Sequence, residues 1–372
     1  MDLIGTEVRD GGKAVALTWR DGMTARFHAI WLRDNALDGE TRDPGNGQRR
    51  ITLADIPQTI AVVCANVQGD SLAVEFDTGE QAVFPAQWLR DRNYDKAVAT
   101  APFDPELQLW SGDHKVHSGE ISELENDRAG LHRWLNGVRR HGVARVSGLA
   151  AEPGALQRVV DLFGYIRETN YGRWFDVRTE VNPTNLAYTN LGLQAHTDNP
   201  YRDPVPGLQV LSCVENSVHG GESAVVDGFR AIDILRRENP GWFDVLAGYP
   251  ARFEYAGSDG VRLTSKRPVI ECGPDGQVMA IRFNNRSMAA NTDVPFERME
   301  TWYDALRRLG DIVDDAGQAV TFRLDPGEAF IVDNTRVLHA RTAFSGSGQR
   351  WLQGCYADRD SLLSELAVTG AE

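Results

Sequence analysis

The chain has 372 residues, 42% of them apolar and 25% charged, with a formal net charge of -14 and a pI near 5.1. That length supports one large core and one smaller one, and the composition is that of an ordinary globular protein. An acidic chain with no run of Lys or Arg lacks the basic face that displaces counterions from nucleic acid. No stretch reaches the roughly 18 consecutive apolar residues of a membrane span, so neither nucleic acid nor membrane is an expected partner.

The first ninety residues contain an internal repeat. Phe27-His28-Ala29-Ile30-Trp31-Leu32-Arg33-Asp34 recurs 57 residues later as Phe84-Pro85-Ala86-Gln87-Trp88-Leu89-Arg90-Asp91. Each copy follows an alternating, strand-like segment, 14–19 or 71–76, closed by Asp21-Gly22 or Thr78-Gly79. Two copies of one supersecondary unit make a small β-rich N-terminal domain, residues 1–98. Its Arg-Asp dipeptides read as structural ion pairs. Pro102, Asp104 and Pro105 mark the linker into a second domain, 99–372.

In that domain Ser122 and Glu125 fit a capping box, Leu131, Trp134, Leu135 and Val138 share a helix face, and Gly142 stops the helix. Pro153 opens a second helix carrying Leu156, Val160 and Phe163. Short strands follow at 208–214, 223–226, 278–283, 321–324, 329–332 and 351–356, with helices at 231–237 and 296–309. Gly220-Gly221 reads as a hairpin turn. The fold class is mainly β with helices, as a closed or double-sheet architecture.

Cys64, Cys213, Cys272 and Cys355 are far apart in sequence and form no thiolate metal motif. They read as buried, reduced thiols of a cytoplasmic protein. The opening residues carry acids and no apolar run, unlike a secretory signal.

His196-Thr197-Asp198 is the first candidate for chemistry, because residues two apart on a strand share a face. Alone it means little, since a chain rich in Asp with eight histidines produces such a triplet by chance. Its weight comes from His339, 143 residues later in strand-like sequence, followed by Arg341 and Arg350. Two imidazoles and a carboxylate on a β scaffold match the facial triad of non-haem Fe(II) oxygenases. Three protein ligands leave three positions on an octahedral iron, two for a 2-oxo acid such as 2-oxoglutarate and one for O2. A guanidinium on an adjoining strand would pair with the distal carboxylate of the co-substrate, with Arg350 the first choice and Arg341 the second. His28, His114, His117, His132, His141 and His219 have no ligand-like neighbours. No GxSxG elbow is present.

Several segments resemble the γ-butyrobetaine hydroxylase family of Fe(II)/2-oxoglutarate dioxygenases, within the TauD-like superfamily. They include Asn185-Leu186-Ala187-Tyr188-Thr189, His196-Thr197-Asp198 and Pro206-Gly207-Leu208-Gln209. Gly220 to Phe229, Phe283-Asn284-Asn285, Asp333-Asn334, Leu338-His339 and Gly354 to Asp358 belong to the same set. The Trp-Leu-Arg-Asp-Asn of residues 31–35 matches that family's N-terminal domain. The resemblance implies a double-stranded β-helix (jelly-roll) catalytic domain and a homodimer. It also implies an aromatic cage for a trimethylammonium group, which offers no N–H donor and is held by π faces. Tyr171, Tyr188 and Tyr356 stand at the cage positions, with Phe175 and its neighbour Trp174 at a fourth. Asn185 and Asn284 or Asn285 match residues that hold the anionic end of the substrate.

Two departures bear on these expectations. The family commonly binds zinc through cysteines after Trp-Leu-Arg-Asp-Asn, whereas Ala36 to Thr41 here contain none, so no structural zinc is expected. Arg286 follows Asn284-Asn285, and Tyr201 lies three residues after Asp198. A further guanidinium and phenol at the anion end suit a phosphonate dianion. The expected substrate is therefore 2-(trimethylammonio)ethylphosphonate or γ-butyrobetaine, hydroxylated by a soluble enzyme. The rivals are a taurine-type sulfonate oxygenase, which needs no cage, and a non-catalytic jelly-roll binding protein, which needs no His-Asp-His-Arg set.

Overall fold

The computed structural model describes residues 2–96, 101–178, 192–258, 260–345 and 348–371, and the chain divides into two compact units, Met1–Ala99 and Thr100–Glu372.

In the first unit the repeat becomes two identical runs. Strands Leu3–Arg9, Ala14–Trp19 and Thr24–His28 form an antiparallel sheet that leads into helix Ala29–Asp34. Strands Val62–Gln68, Ser71–Phe76 and Gln81–Pro85 repeat this and lead into helix Ala86–Asp91. Alternation puts Val15, Leu17 and Trp19 of one copy and Leu72, Val74 and Phe76 of the other into a shared core, with Phe27, Leu32, Phe84 and Leu89 sealing it. The Arg-Asp dipeptides do not pair internally. Arg33 reaches Thr41 at 2.9 Å and Glu80 at 3.4 Å, Asp34 pairs with Arg49 at 2.7 Å, and Arg90 with Asp21 at 2.7 Å.

The second unit is built on two sheets. The larger runs Phe175–Val177, Arg350–Ala357, Leu208–Asn216, Ala329–Asp333, Val143–Ser147, Ser118–Glu120, with Ile166–Arg167 also on Arg350–Ala357. The smaller runs Leu193–His196, Val337–Arg341, Ser223–Asp227, Ala319–Phe322. Strand alternation splits the larger sheet's side chains between two cores. Leu208, Val210, Ile331 and Cys355 pack on Leu131, Trp134, Leu135 and Val138 of helix Arg128–His141. Leu211, Cys213, Phe330 and Leu352 meet Val225 and Val337 of the smaller sheet. A third cluster packs helices Gly228–Glu238, Pro240–Gly248 and Phe296–Asp314 beside the hairpin Pro250–Ser258/Val261–Pro268.

Several local expectations need correction. The helix expected to start at Ser122 is two helices, Ile121–Asn126 and Arg128–His141. Asp127 is extended between them, and its carboxylate accepts the Ala129 N–H to cap the second. Glu120, not Ser122, caps the first through Glu123 N–H. Gly142 does end the helix at φ 75°, packed so closely on Val337 and Arg336 that a Cβ would collide. After Pro153 the left-handed Gly154 delays the helix to Gln157–Asp161. Gly220 ends the short strand His219–Gly220, which pairs with Phe344–Ser345, and the next strand, Ser223–Asp227, belongs to another sheet, so Gly220-Gly221 does not close a hairpin. Cys213 and Cys355 are buried, but Cys64 and Cys272 are exposed, and all four are free.

Candidate active site

His196 and His339 are directly opposed on antiparallel strands Leu193–His196 and Val337–Arg341. Their rings therefore project from one face with centroids 4.4 Å apart. Asp198 arrives differently from the strand pleat expected above, because the strand stops at His196. Thr197 donates its N–H to Phe283 O (2.9 Å) and accepts Phe283 N–H on its hydroxyl (3.1 Å). Asn334 then grips the bend, accepting Asp198 N–H at 2.7 Å and donating to Asp198 O and Pro206 O at 3.0 Å each. Asn199 follows at φ 53°, a conformation that Asn tolerates better than most residues.

This bend places Asp198 Oδ1 at 3.4 Å from His196 Nε2 and 3.8 Å from His339 Nε2. One ligand atom from each of the three residues lies within 4.8 Å of the others. His196 Nδ1 is 2.8 Å from Gln194 O. A carbonyl only accepts, so Nδ1 carries a proton and Nε2 is the ring nitrogen turned toward Asp198. Burial, and then the neighbouring His196, lower the His339 pKa to about 3, so its imidazole is neutral at physiological pH. Burial alone would raise Asp198, but His339, His196 and the Tyr356 hydroxyl outweigh it and hold the carboxyl below its usual range. Two imidazole nitrogens and one carboxylate oxygen fit Fe(II).

The cluster opens into a cavity of about 420 Å³ lined from both sheets. Arg341 and Arg350 reach it from 7% and 6% exposed positions among Leu193, Leu211, Phe330 and Leu352. Burial, reinforced in Arg350 by Arg341 and in Arg341 by Arg286, lowers each guanidinium to about 10. Both remain cationic at neutral pH. Arg350 Nε also donates to Gly221 O at 3.0 Å, which anchors the side chain.

Another part of the wall is aromatic. Phe175 packs on Tyr356 (5.0 Å) and Tyr171 (6.3 Å), and Tyr255 stacks on Tyr201 (5.0 Å) with Tyr171 at its edge (5.8 Å). The Tyr171 and Tyr201 hydroxyls are 2.8 Å apart, and Tyr201 donates to Asn199 Oδ1 at 2.6 Å. Burial pushes the phenols of Tyr171, Tyr201 and Tyr356 above their ordinary pKa. Arg286 is exposed at the rim. The cavity walls lower its pKa while Asp198 draws it back up.

Most of the sequence-derived site residues thus meet in one cavity, with two exceptions, Asn285 and Trp174, among those the structure describes. Asn285 turns away, donating to Gln194 Oε1 at 2.9 Å in a separate hollow beside Asp314. Asn284 lines the cavity, but its amide donates to Thr197 O (3.0 Å) and accepts Arg286 N–H (3.1 Å), so it braces the metal loop. Trp174 is 39% exposed and does not line the cavity. Asn185 and Tyr188 lie outside the described residues. Sequence reasoning missed Asn199, Gln209, Tyr255 and Ser287, all of which line the cavity. Gln209 left a readable signal, as a polar residue at an inward position of the strand that carries Leu211 and Cys213.

Two imidazoles and a carboxylate at the edge of a double-sheet β fold, open to a ligand-sized cavity, define a mononuclear non-haem metal oxygenase. The family described as "Taurine catabolism dioxygenase TauD, TfdA family" matches residues 106–356, and "Gamma-butyrobetaine hydroxylase-like, N-terminal" matches 6–90. A gamma-butyrobetaine dioxygenase from Pseudomonas sp. (strain AK-1) is 36% identical over 361 residues, 95% of this chain and 93% of the relative. That of Homo sapiens is 28% identical over 370 residues, 97% and 96% of the two chains. The crystal structure of asparagine oxygenase superposes with a TM-score of 0.50 at 20% identity, covering 64% of this chain and 82% of that one, which supports the jelly-roll fold. The chain belongs to the TauD, TfdA family of dioxygenases and is an Fe(II)/2-oxoglutarate-dependent enzyme.

Proposed function

We propose that this enzyme hydroxylates a small trimethylammonium zwitterion, with His196, Asp198 and His339 holding Fe(II). The observation that carries the reading is one cavity containing both the three-donor cluster and a wall of aromatic rings. Bound there, Fe(II) with 2-oxoglutarate and O2 supplies an oxidant that converts a substrate C–H to C–OH and leaves succinate and carbon dioxide. Arg350, with Arg341 beside it, pairs with the distal carboxylate of 2-oxoglutarate, because two buried cations favour an anion between them. Tyr171, Phe175 and Tyr356 offer ring faces to the quaternary ammonium, and Tyr188 joins them by resemblance. Asn185 is assigned to the anionic end on the same ground. Clamping both ends of the substrate fixes which C–H faces the metal.

At the anionic end stands Arg286, whereas the hydroxyl of Tyr201, also expected there, is already committed to Asn199 Oδ1. Asn199 Nδ2 and Ser287 Oγ, both buried, have no partner among the described residues. The three oxygens of a phosphonate use these donors more fully than a carboxylate does. This favours 2-(trimethylammonio)ethylphosphonate over γ-butyrobetaine. Full-length relatives named for γ-butyrobetaine and trimethyllysine support the quaternary ammonium, and a taurine-type sulfonate leaves the aromatic wall without a role. By the same resemblance the enzyme is a homodimer, while its four free cysteines suit the cytoplasm and its linker sequence divides it into domains near residue 98. No helix among the described residues is long and apolar enough to cross a membrane.

The test is succinate formation by iron-loaded enzyme with 2-oxoglutarate and a panel of the two trimethylated compounds, their unmethylated amines and taurine. Stimulation by a trimethylated compound over its free amine is expected. Equal stimulation by the amines, or by taurine alone, contradicts the assignment.

A further inference from the structure

Gln209 is 2% exposed on the inward face of strand Leu208–Asn216, where its neighbours Leu211 and Cys213 are apolar. A glutamine at such a position is costly unless its amide is engaged. Its Nε2 lies 2.7 Å from Asp198 Oδ2, an orientation the chemistry requires, since an ionised carboxylate only accepts. The Tyr356 hydroxyl donates to the same oxygen, also at 2.7 Å. The two donors are a register pair. Gln209 and Tyr356 stand directly opposite on adjacent antiparallel strands, so both side chains leave the sheet on one face.

The carboxylate is thereby divided. Oδ2 takes two hydrogen bonds, while Oδ1 alone faces the imidazole Nε2 atoms of His196 and His339. Turning Oδ2 toward a metal would break both charge-assisted bonds inside a buried site. We propose that Gln209 and the Tyr356 hydroxyl form a two-donor clamp that keeps Asp198 a one-oxygen metal ligand and so leaves a further coordination position open to small molecules. The inference rests on the reading of His196, Asp198 and His339 as metal ligands. It makes both residues positioning residues for the metal, and it separates two roles of Tyr356. The ring packs on Phe175 at 5.0 Å in the cavity wall, while the hydroxyl is committed to Asp198 and is not a substrate donor.

The experiment is anaerobic titration of the full-length protein with Co(II), reading both affinity and visible ligand-field spectrum. It compares wild type, Tyr356→Phe, Gln209→Leu, the double variant, and Cys213→Ala as a buried control on the same strand face. Tyr356→Phe keeps the ring and removes only the hydroxyl. Each clamp variant is expected to weaken Co(II) binding about tenfold, and the double variant up to roughly 100-fold, the usual range for groups behind a metal ligand. Their spectra should change as a second carboxylate oxygen displaces a solvent ligand, while Cys213→Ala keeps the wild-type spectrum. Unchanged affinity and spectrum in Tyr356→Phe and Gln209→Leu overturn the clamp. If wild type itself fails to bind Co(II), the metal reading falls first and the clamp with it, which distinguishes the two failures.

Discussion

The two compact units use buried polarity in opposite ways. Among the described residues of Met1–Ala99 the buried polar side chains are Arg33, Thr41 and Asn93, and the core between the two copies of the repeat is wholly apolar. In Thr100–Glu372 the buried set includes His196, Asn199, Gln209, Asn284, Asn334, His339, Arg341 and Arg350, most of them around one cavity. In the first unit strands Thr24–His28, Ser71–Phe76 and Gln81–Pro85 follow strand alternation. The second breaks it where a metal, a co-substrate and a substrate have to be gripped. Burying polar groups costs free energy unless they are paired, so breaks concentrated around one hollow mark a site and not a defect of packing.

Substitutions can sharpen this contrast. The largest effect on stability is expected at a buried polar pair outside the metal cluster. Arg336 and Asp227, with side chains 2% and 0% exposed, pair at 2.7 Å, and Arg336 also donates to Arg140 O and Gln108 O. Asp227→Ala strands a buried guanidinium and should cost about 3–5 kcal/mol, measured by urea unfolding. In the apolar unit Leu89→Ala opens a cavity in the repeat core and should cost about 2–5 kcal/mol. Its unfolding transition should shift while Co(II) affinity stays at the wild-type value; a parallel loss of metal binding would contradict the separation drawn here.

Around the cavity the effects are functional. Arg350→Ala removes a charge-assisted bond of about 1.5–3 kcal/mol and should raise the KM for 2-oxoglutarate roughly 10- to 150-fold. The KM for the trimethylammonium substrate should change far less, and steady-state kinetics in each substrate separates the two. The smallest effect belongs to Arg286, which is exposed at the rim, where charge pairs contribute least. Arg286→Ala should lower kcat/KM for the phosphonate by about two- to fivefold and for γ-butyrobetaine by less. Equal losses for both would remove the case for a dianionic head group.

Legibility in the sequence followed the same division. The 57-residue repeat and its strands 14–19 and 71–76 could be read directly from sequence identity and alternation, whereas the four strands that flank them were not read. In the catalytic unit the strands 208–216, 223–227, 329–333 and 350–357 were also readable, each within two residues of its observed ends. What escaped depended on contacts between distant segments. His196 faces His339 only through strand register, and Asp198 reaches them through a bend fixed by Asn334 and Phe283, which no local pattern announces. Asn284 and Asn285 are adjacent in sequence, yet one braces the metal loop and the other faces a different hollow. Tyr255 comes from a hairpin whose alternation carries no sign of a cavity. Asp127 broke a helix whose apolar face ran cleanly, because a side-chain cap can start a new helix wherever the backbone extends.

The most direct test is anaerobic visible absorption of the Fe(II)-loaded enzyme as 2-oxoglutarate is added, with Asp198→Ala as the comparison. The account predicts a weak charge-transfer band in wild type that saturates with 2-oxoglutarate and is missing in Asp198→Ala. A wild-type protein that binds Fe(II) yet shows no band, or an Asp198→Ala variant that shows the same band, would contradict the placement of the metal and its co-substrate in this cavity.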